Sequence, residues 1–218
     1  MIDRAYRAAY ETAFRTLLSQ APPGRYDEMA LPSYTHANRL MAWLFWRRIA
    51  AAFALAGPLD RQRVLDFGCG GGVTFRRLHE CGCEITGVDP EAGALAAEIS
   101  RRLGTPARIV ATVDDVADRR FDCIFALDVL EHVDDLDGCI GRLAGVLADG
   151  GRIVLSGPTE NAWYRLGRRL AGFSGHYHVR TVFDIERGLQ QRGLVRTGLS
   201  TLRLPFALFR VSAWRGAP

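Results

Sequence analysis

The sequence predicts an α/β protein built on a mostly parallel sheet with helices on both faces. Three observations predict it. From residue 63 onward strand-like and helix-like segments alternate, as a parallel sheet covered on both sides requires. Residues 63–89 combine a buried strand, a glycine turn, a helix and a second strand that ends on an acid. The last two strands, at 194–199 and about 207–214, are separated only by a short break at Leu204-Pro205, so they pair antiparallel at the sheet edge.

Residues 2–20 carry a helical pattern, with Tyr6, Ala9, Tyr10, Ala13, Phe14 and Leu17 recurring at three- and four-residue spacing. Ala21-Pro22-Pro23-Gly24 breaks it, and 25–38 reads as a polar connector dotted with Tyr26, Met29, Tyr34 and His36. A second helix over 39–55 is apolar around most of its circumference (Trp43, Leu44, Phe45, Trp46, Ile49, Phe53), interrupted by Arg47 and Arg48. Much of it should be buried or face a partner. The two helices either pack on the sheet edge or form a lid, so the chain divides into an N-terminal helical lid segment, 1–60, and one compact unit, 61–218.

Within that unit the first strand is 64–67, followed by the turn of Gly68, Gly70, Gly71 and Gly72, a helix at about 73–80 and a strand at 84–88. Pro90 opens a helix over 91–103. A short strand at 107–110 leads into the polar loop 111–115, and 121–127 is a buried strand. Asp128 to Val133 leads into a helix at about 136–147, and Asp149-Gly150-Gly151 turns the chain into a strand at 152–156. Residues 157–179 form an irregular basic-aromatic insert. The helix at 181–191 opens on Thr181 and Asp184, at capping-box spacing.

A chain of 218 residues, 48% hydrophobic and 24% charged, fits one globular domain. Its longest apolar run, 49–56, is too short to cross a bilayer, and its first residues do not read as a secretory signal. The net charge of +4 arises without a single lysine, and no dense arginine run tracks a nucleic-acid backbone. The five cysteines (Cys69, Cys81, Cys83, Cys123, Cys139) are odd in number and lack paired C-x-x-C spacing, which points to reduced thiols in a cytoplasm and to no metal site.

Which ligand the glycine turn takes is decided by Asp66. A carboxylate two residues before the first glycine would repel a dinucleotide pyrophosphate, and Val73 stands where a dinucleotide fingerprint wants Gly or Ala. An acid there suits a cationic ligand end. Asp66-x-Gly68-x-Gly70-x-Gly72 followed by Asp89 resembles the first motifs of class I S-adenosylmethionine-dependent methyltransferases. Phe121-Asp122 and Asp128-Val-Leu-Glu-His-Val133 resemble the fourth-strand motif of the subgroup containing the ubiquinone-biosynthesis O-methyltransferases. The resemblance implies a Rossmann-like, seven-stranded sheet with a terminal antiparallel hairpin, and it covers most of the chain from Arg63 to Trp214.

Position by position, the resemblance implies that Asp66, Gly68, Cys69 and Gly70 hold the methionine end of the cofactor, with Leu127, Asp128 and His132 beside it. Asp89 would take the ribose hydroxyls. The adenine would lie near Pro90, Thr112 and Val113, with Asp114 or Asp115 accepting from its exocyclic amine. His132, His176 and His178 are the candidate bases, since a neutral imidazole suits removal of a hydroxyl proton near working pH. Tyr26 and Tyr34 on the connector, and Trp163, Tyr164 and Tyr177 in the insert, are candidate acceptor contacts. No metal is expected.

The function so implied is transfer of a methyl group to a small-molecule acceptor, most plausibly a hydroxyl, in a bacterial cytoplasm. Alternatives are N- or C-methylation, a protein that binds the cofactor without transferring methyl, and a dinucleotide-dependent oxidoreductase. The alternation of aromatics and arginines over 161–170 fits a flap over the acceptor, a contact with an acidic membrane surface at the inner face, or a solvated basic helix. The chain is expected to be a monomer or a homodimer.

Overall fold

The computed structural model describes residues 4–20, 39–159, 161 and 180–216. Among them are seven strands: β1 (Arg63–Phe67), β2 (Glu84–Val88), β3 (Arg108–Val110), β4 (Phe121–Leu127), β5 (Leu147–Pro158), β6 (Leu194–Arg203) and β7 (Ala207–Gly216). They form one sheet in the order β3-β2-β1-β4-β5-β7-β6. The first five are parallel, and β7 runs antiparallel between β5 and β6. The central strands carry continuous apolar runs because both of their faces are covered: Val64, Leu65, Ile124, Phe125, Ile153 and Val154 are all fully buried. In register, Val64 lies beside Ile85 of β2 and Cys123 of β4.

Six α-helices among the described residues surround the sheet: α1 (Arg4–Leu18), α2 (Arg39–Ala56), α3 (Phe75–Glu80), α4 (Gly93–Leu103), α5 (Leu136–Gly145) and α6 (Val182–Gln191). α1 presents Tyr6, Tyr10, Ala13 and Phe14 inward, the face its periodicity predicts. Tyr10 stacks on Phe14 at 5.9 Å, and both Tyr6 and Tyr10 meet Trp46 of α2 edge-on. Complete burial of Trp46 removes on the order of 200 Å² from water, roughly 5 kcal/mol of hydrophobic stabilisation. α2 lies against β5, β6 and β7, with Phe45 on Phe209 and Phe53 on Phe125. α2 is therefore packed onto the sheet, α1 rests on α2 and α4, and the Tyr6 hydroxyl donates to the Val73 carbonyl at 2.7 Å, tying α1 to the end of the glycine turn.

Several boundaries differ from the sequence expectation, each for a local reason. The helix after the glycine turn starts at Phe75 rather than 73, because Gly72 holds a left-handed φ of 68°. α4 starts at Gly93 rather than 91, because Glu91 and Ala92 direct their backbone N–H groups at the Asp89 carboxylate. α5 stops at Gly145, and β5 already begins at Leu147, passing through a left-handed Gly150 where a separate turn was expected. β6 and β7 are longer than their apolar runs suggest. α6 opens on Thr181, whose hydroxyl accepts from Asp184 N while the Asp184 carboxylate accepts from Thr181 N at 3.0 Å, the capping box read from the sequence. Buried Glu186 on α6 pairs with Arg196 of β6 and Arg210 of β7, fastening the helix to the hairpin.

Gly87, near the end of β2, lies close under the glycine turn. A β-carbon there would stand 2.8 Å from Cys69 Sγ and from the Phe75 ring, and 3.0 Å from Ile109. Gly87→Ala is expected to lower unfolding free energy by about 1–3 kcal/mol, read from urea denaturation midpoints, because those packed neighbours have to move.

Candidate functional site

The strand order reverses between β1 and β4, and a crevice of about 760 Å³ opens at the carboxyl ends of the strands there. Its floor is the end of β1 and the glycine turn. Gly68, Gly70 and Gly72 all hold positive φ, and Gly68 N and Cys69 N donate to Val88 O at 2.8 and 3.2 Å. The turn is thereby pinned across the ends of two strands, with its backbone facing the opening.

Asp66 closes the floor. It is buried, and the Thr74 hydroxyl donates to its Oδ2 at 2.5 Å. Burial pushes its carboxyl up to about 7; the Thr74 bond opposes that rise and the nearby Asp89 charge adds to it. An acid in this state gains from a cation placed against it. Cys69 beside it is no nucleophile: burial, with Asp66 and Asp89 close by, pushes its thiol well above the ordinary range.

Asp89 stands at the end of β2 and braces the backbone around it. Its Oδ2 accepts from Gly70 N at 2.9 Å; its Oδ1 accepts from Glu91 N at 3.0 Å and Ala92 N at 2.7 Å. A carboxylate has about four acceptor positions, so three backbone donors leave room for one ligand hydroxyl. Further along the same wall lie Pro90, Glu91, Ala111, Thr112, Val113 and Asp114. Thr112 and Asp115 bond to each other, Asp115 Oδ2 accepting from Thr112 N at 2.8 Å and from its hydroxyl at 3.2 Å. Asp115 thus caps the short turn Val113–Val116, and the exposed Asp114 is the acid of the pair that lines the crevice.

The opposite wall is the end of β4. Leu127, Asp128, Val129, His132 and Val133 line it. Leu130–His132 is a single 3-10 turn, and Asp128 before it holds a left-handed φ of 53°, so Asp128 and His132 reach the crevice without the shared helical face the spacing suggests. Asp128 Oδ1 accepts from the Ser156 hydroxyl at 2.8 Å, and Oδ2 pairs with Arg48 of α2. Arg48 is buried, with its guanidinium carbon 4.5 Å from the Phe45 ring and 5.0 Å from the Phe209 ring.

The structure thus brings Asp66, Gly68, Cys69, Gly70, Asp89, Pro90, Thr112, Val113, Asp114, Leu127, Asp128 and His132 to one crevice. Tyr26, Tyr34, Trp163, Tyr164, His176, Tyr177 and His178 lie outside the described residues. Sequence reasoning missed Tyr10, Arg48 and Arg142, which also line the crevice. For Arg48 a signal existed: with Phe45, Ile49 and Ala52 at three- and four-residue spacing it falls on the buried stripe of α2, whereas Arg47 falls outside it and is exposed, stacked on Trp43. Among the described residues no group of three His, Cys, Asp or Glu side chains could hold a metal ion, and no helix is long and apolar enough to cross a membrane.

A family model described as a methyltransferase domain matches residues 34–197. A ubiquinone biosynthesis O-methyltransferase of Bradyrhizobium sp. (strain ORS 278) is 34% identical over 118 residues, which are 52% of this chain and 46% of that protein. The chain spans about half the length of this and another such relative from Alkalilimnicola ehrlichii. Among solved structures, magnesium protoporphyrin IX methyltransferase from Synechocystis PCC 6803, with bound S-adenosylhomocysteine, superposes with a TM-score of 0.66 at 17% identity, covering 93% of this chain and 100% of that one. The sheet order and terminal antiparallel strands are those of the class I methyltransferase fold.

Two outcomes follow from this geometry. Asp89→Ala strands three backbone donors, so it should lower stability by about 1–3 kcal/mol in urea denaturation and loosen the glycine turn at the same time. Asp66 makes stability depend on pH. Between about pH 4 and pH 7 the folded carboxyl keeps a proton that the unfolded chain has released, so stability falls as pH rises through that window and the loss is complete above it. Asp66→Asn should flatten that fall, read as the wild-type minus variant difference in denaturation midpoints at pH 4.5 and 7.5.

Proposed function

The chain belongs to the class I S-adenosylmethionine-dependent methyltransferases, and on that premise we propose that it transfers a methyl group to a hydroxyl of a small organic acceptor. The observation that supports the cofactor's place in this reading is the pairing of a buried acid, Asp66, with a glycine turn that lines the crevice. The residues present fit the cofactor: Asp66 gains from a cation, and the left-handed glycines leave the turn without side chains where a ligand approaches. Bound there, S-adenosylmethionine supplies a methyl group made electrophilic by its cationic sulfur.

Asp66 and the turn from Gly68 to Gly70 would hold the charged amino-acid end of the cofactor. The remaining acceptor capacity of Asp89 would take a ribose hydroxyl. Pro90, Thr112 and Val113 would flank the adenine, with Asp114 accepting from its amine. Leu127, Val129 and Val133 would exclude water along the β4 wall. His132, exposed at the rim, would take the proton from the acceptor hydroxyl as the oxygen attacks. His176 and His178 are further candidates for that step, and Tyr26, Tyr34, Trp163, Tyr164 and Tyr177 for contacts with the acceptor, beside α1 and α2, whose Tyr10 and Arg48 line the crevice. The hydroxyl is chosen over nitrogen or carbon on the names of relatives about one-third identical over part of their length. A cytoplasmic protein acting on a soluble or membrane-dissolved metabolite fits the same reading.

The test is to incubate the purified chain with S-adenosylmethionine and a panel of phenols, catechols and amines, following S-adenosylhomocysteine and methylated acceptor by mass spectrometry. Methylation on oxygen supports the proposal, and methylation confined to nitrogen or carbon overturns it. His132→Ala should cut turnover about 100-fold or more while leaving S-adenosylhomocysteine affinity within about threefold; wild-type turnover removes His132 as the base.

A further inference from the structure

α2 contains no acid, and its buried Arg48 finds its partner on the far wall of the crevice, pairing with Asp128 at the end of β4. Burying such a pair is poorly repaid in stability, since apolar residues of similar size do as well or better. The pair is also well fixed. Two phenyl rings hold the guanidinium at 4.5 and 5.0 Å, and the Ser156 hydroxyl holds the other carboxylate oxygen at 2.8 Å.

Among the described residues, the one so fixed is the one non-glycine residue lining the crevice with a positive φ, 53°. Asp128 N still donates to Ser156 O at 3.1 Å, so β4 stays on the sheet up to that residue and then turns abruptly. The turn lays Val129 against Gly68, so closely that a β-carbon on Gly68 would collide with the Val129 side chain. It also sends the chain into the Leu130–His132 turn at the rim. A left-handed aspartate carries a β-carbon cost that glycine does not, and the partners of its carboxylate help to hold it there.

From this we propose that Arg48 is a positioning residue for the cofactor site. By pairing with Asp128 it holds the left-handed backbone that seats Val129 on the glycine turn. α2 therefore shapes a pocket whose other walls include the segments that follow β1, β2, β3 and β4. The inference rests on reading the crevice as the S-adenosylmethionine site, and it adds to that reading a residue outside its motifs.

Two double variants test it with S-adenosylhomocysteine as probe, titrated by calorimetry. Arg48→Met/Asp128→Gly and Arg48→Met/Asp128→Ala both remove the two charges together, so neither leaves a buried ion unpaired. Only glycine takes a φ near 53° without strain. The glycine variant should bind the probe within about threefold of wild type, and the alanine variant about tenfold or more weakly. Equal affinities in the two, whether both strong or both weak, overturn the inference. Should neither fold, Ser156→Ala removes the brace on Asp128 without stranding a charge. A loss of about threefold or more there supports the positioning role, and undiminished affinity overturns it. A wild-type chain that does not bind the probe would instead overturn the cofactor reading, and this inference with it.

Discussion

The chain leaves β1 toward one side of the sheet and β4 toward the other, and this divergence is the constraint on which the site depends. β2 and β3 are laid down on one flank, β5 on the opposite flank. The loops that follow β1 and β4 therefore move apart, and the space between them cannot be filled by either crossover. What remains is to make the two exposed strand ends chemically useful. β1 ends beside Asp66 and a glycine-rich turn whose one side chain, Cys69, is buried; β4 is followed by Asp128 and an abrupt change of direction. The close approach of Gly68 and Val129 is the point at which the two ends meet again.

The electrostatics of the crevice follow from how each acid is housed. Asp66 has little water and one hydroxyl donor, so its ionised form is poorly supported. Asp89 has three backbone donors on a half-exposed carboxylate. Asp128 has a hydroxyl and a guanidinium. Three carboxylates within one crevice thus differ in what each can offer a ligand. The first is suited to a cation, the second to the hydroxyls of a neutral group, and the third is committed to the protein itself.

Much of this could be read from the chain before any coordinates. The acid–glycine pattern and Asp89 are local, and local patterns survive translation into structure because strand, turn and helix are each dictated over a few residues. The continuous apolar runs of the central strands are legible for the same reason. The limits of the elements are less so. Whether a helix begins at residue 91 or 93 depends on where the Asp89 carboxylate finds its donors, which no propensity encodes. Arg48 is the clearest failure. Helical spacing places it on a buried stripe, but its partner lies on a strand remote in sequence, and only packing joins them. Asp128 was legible as part of a motif and illegible as a left-handed residue, since its conformation is imposed from outside.

The position of β7 has a consequence for how the protein comes to exist on the ribosome. β6 emerges before β7 yet lies outside it, so neither can join the sheet until β7 has been synthesised and inserted antiparallel against β5. Until then the outer edge of β5, with Ile153, Val154 and Leu155 along it, has no strand beside it, and the platform against which α2 rests is incomplete. The full seat of α2 must therefore wait for β7. Its docking there is a contact of long sequence separation, closed late and slowly. A nascent chain at that stage exposes an open strand edge and the aromatic face of α2 together, the combination that invites pairing with the wrong neighbour.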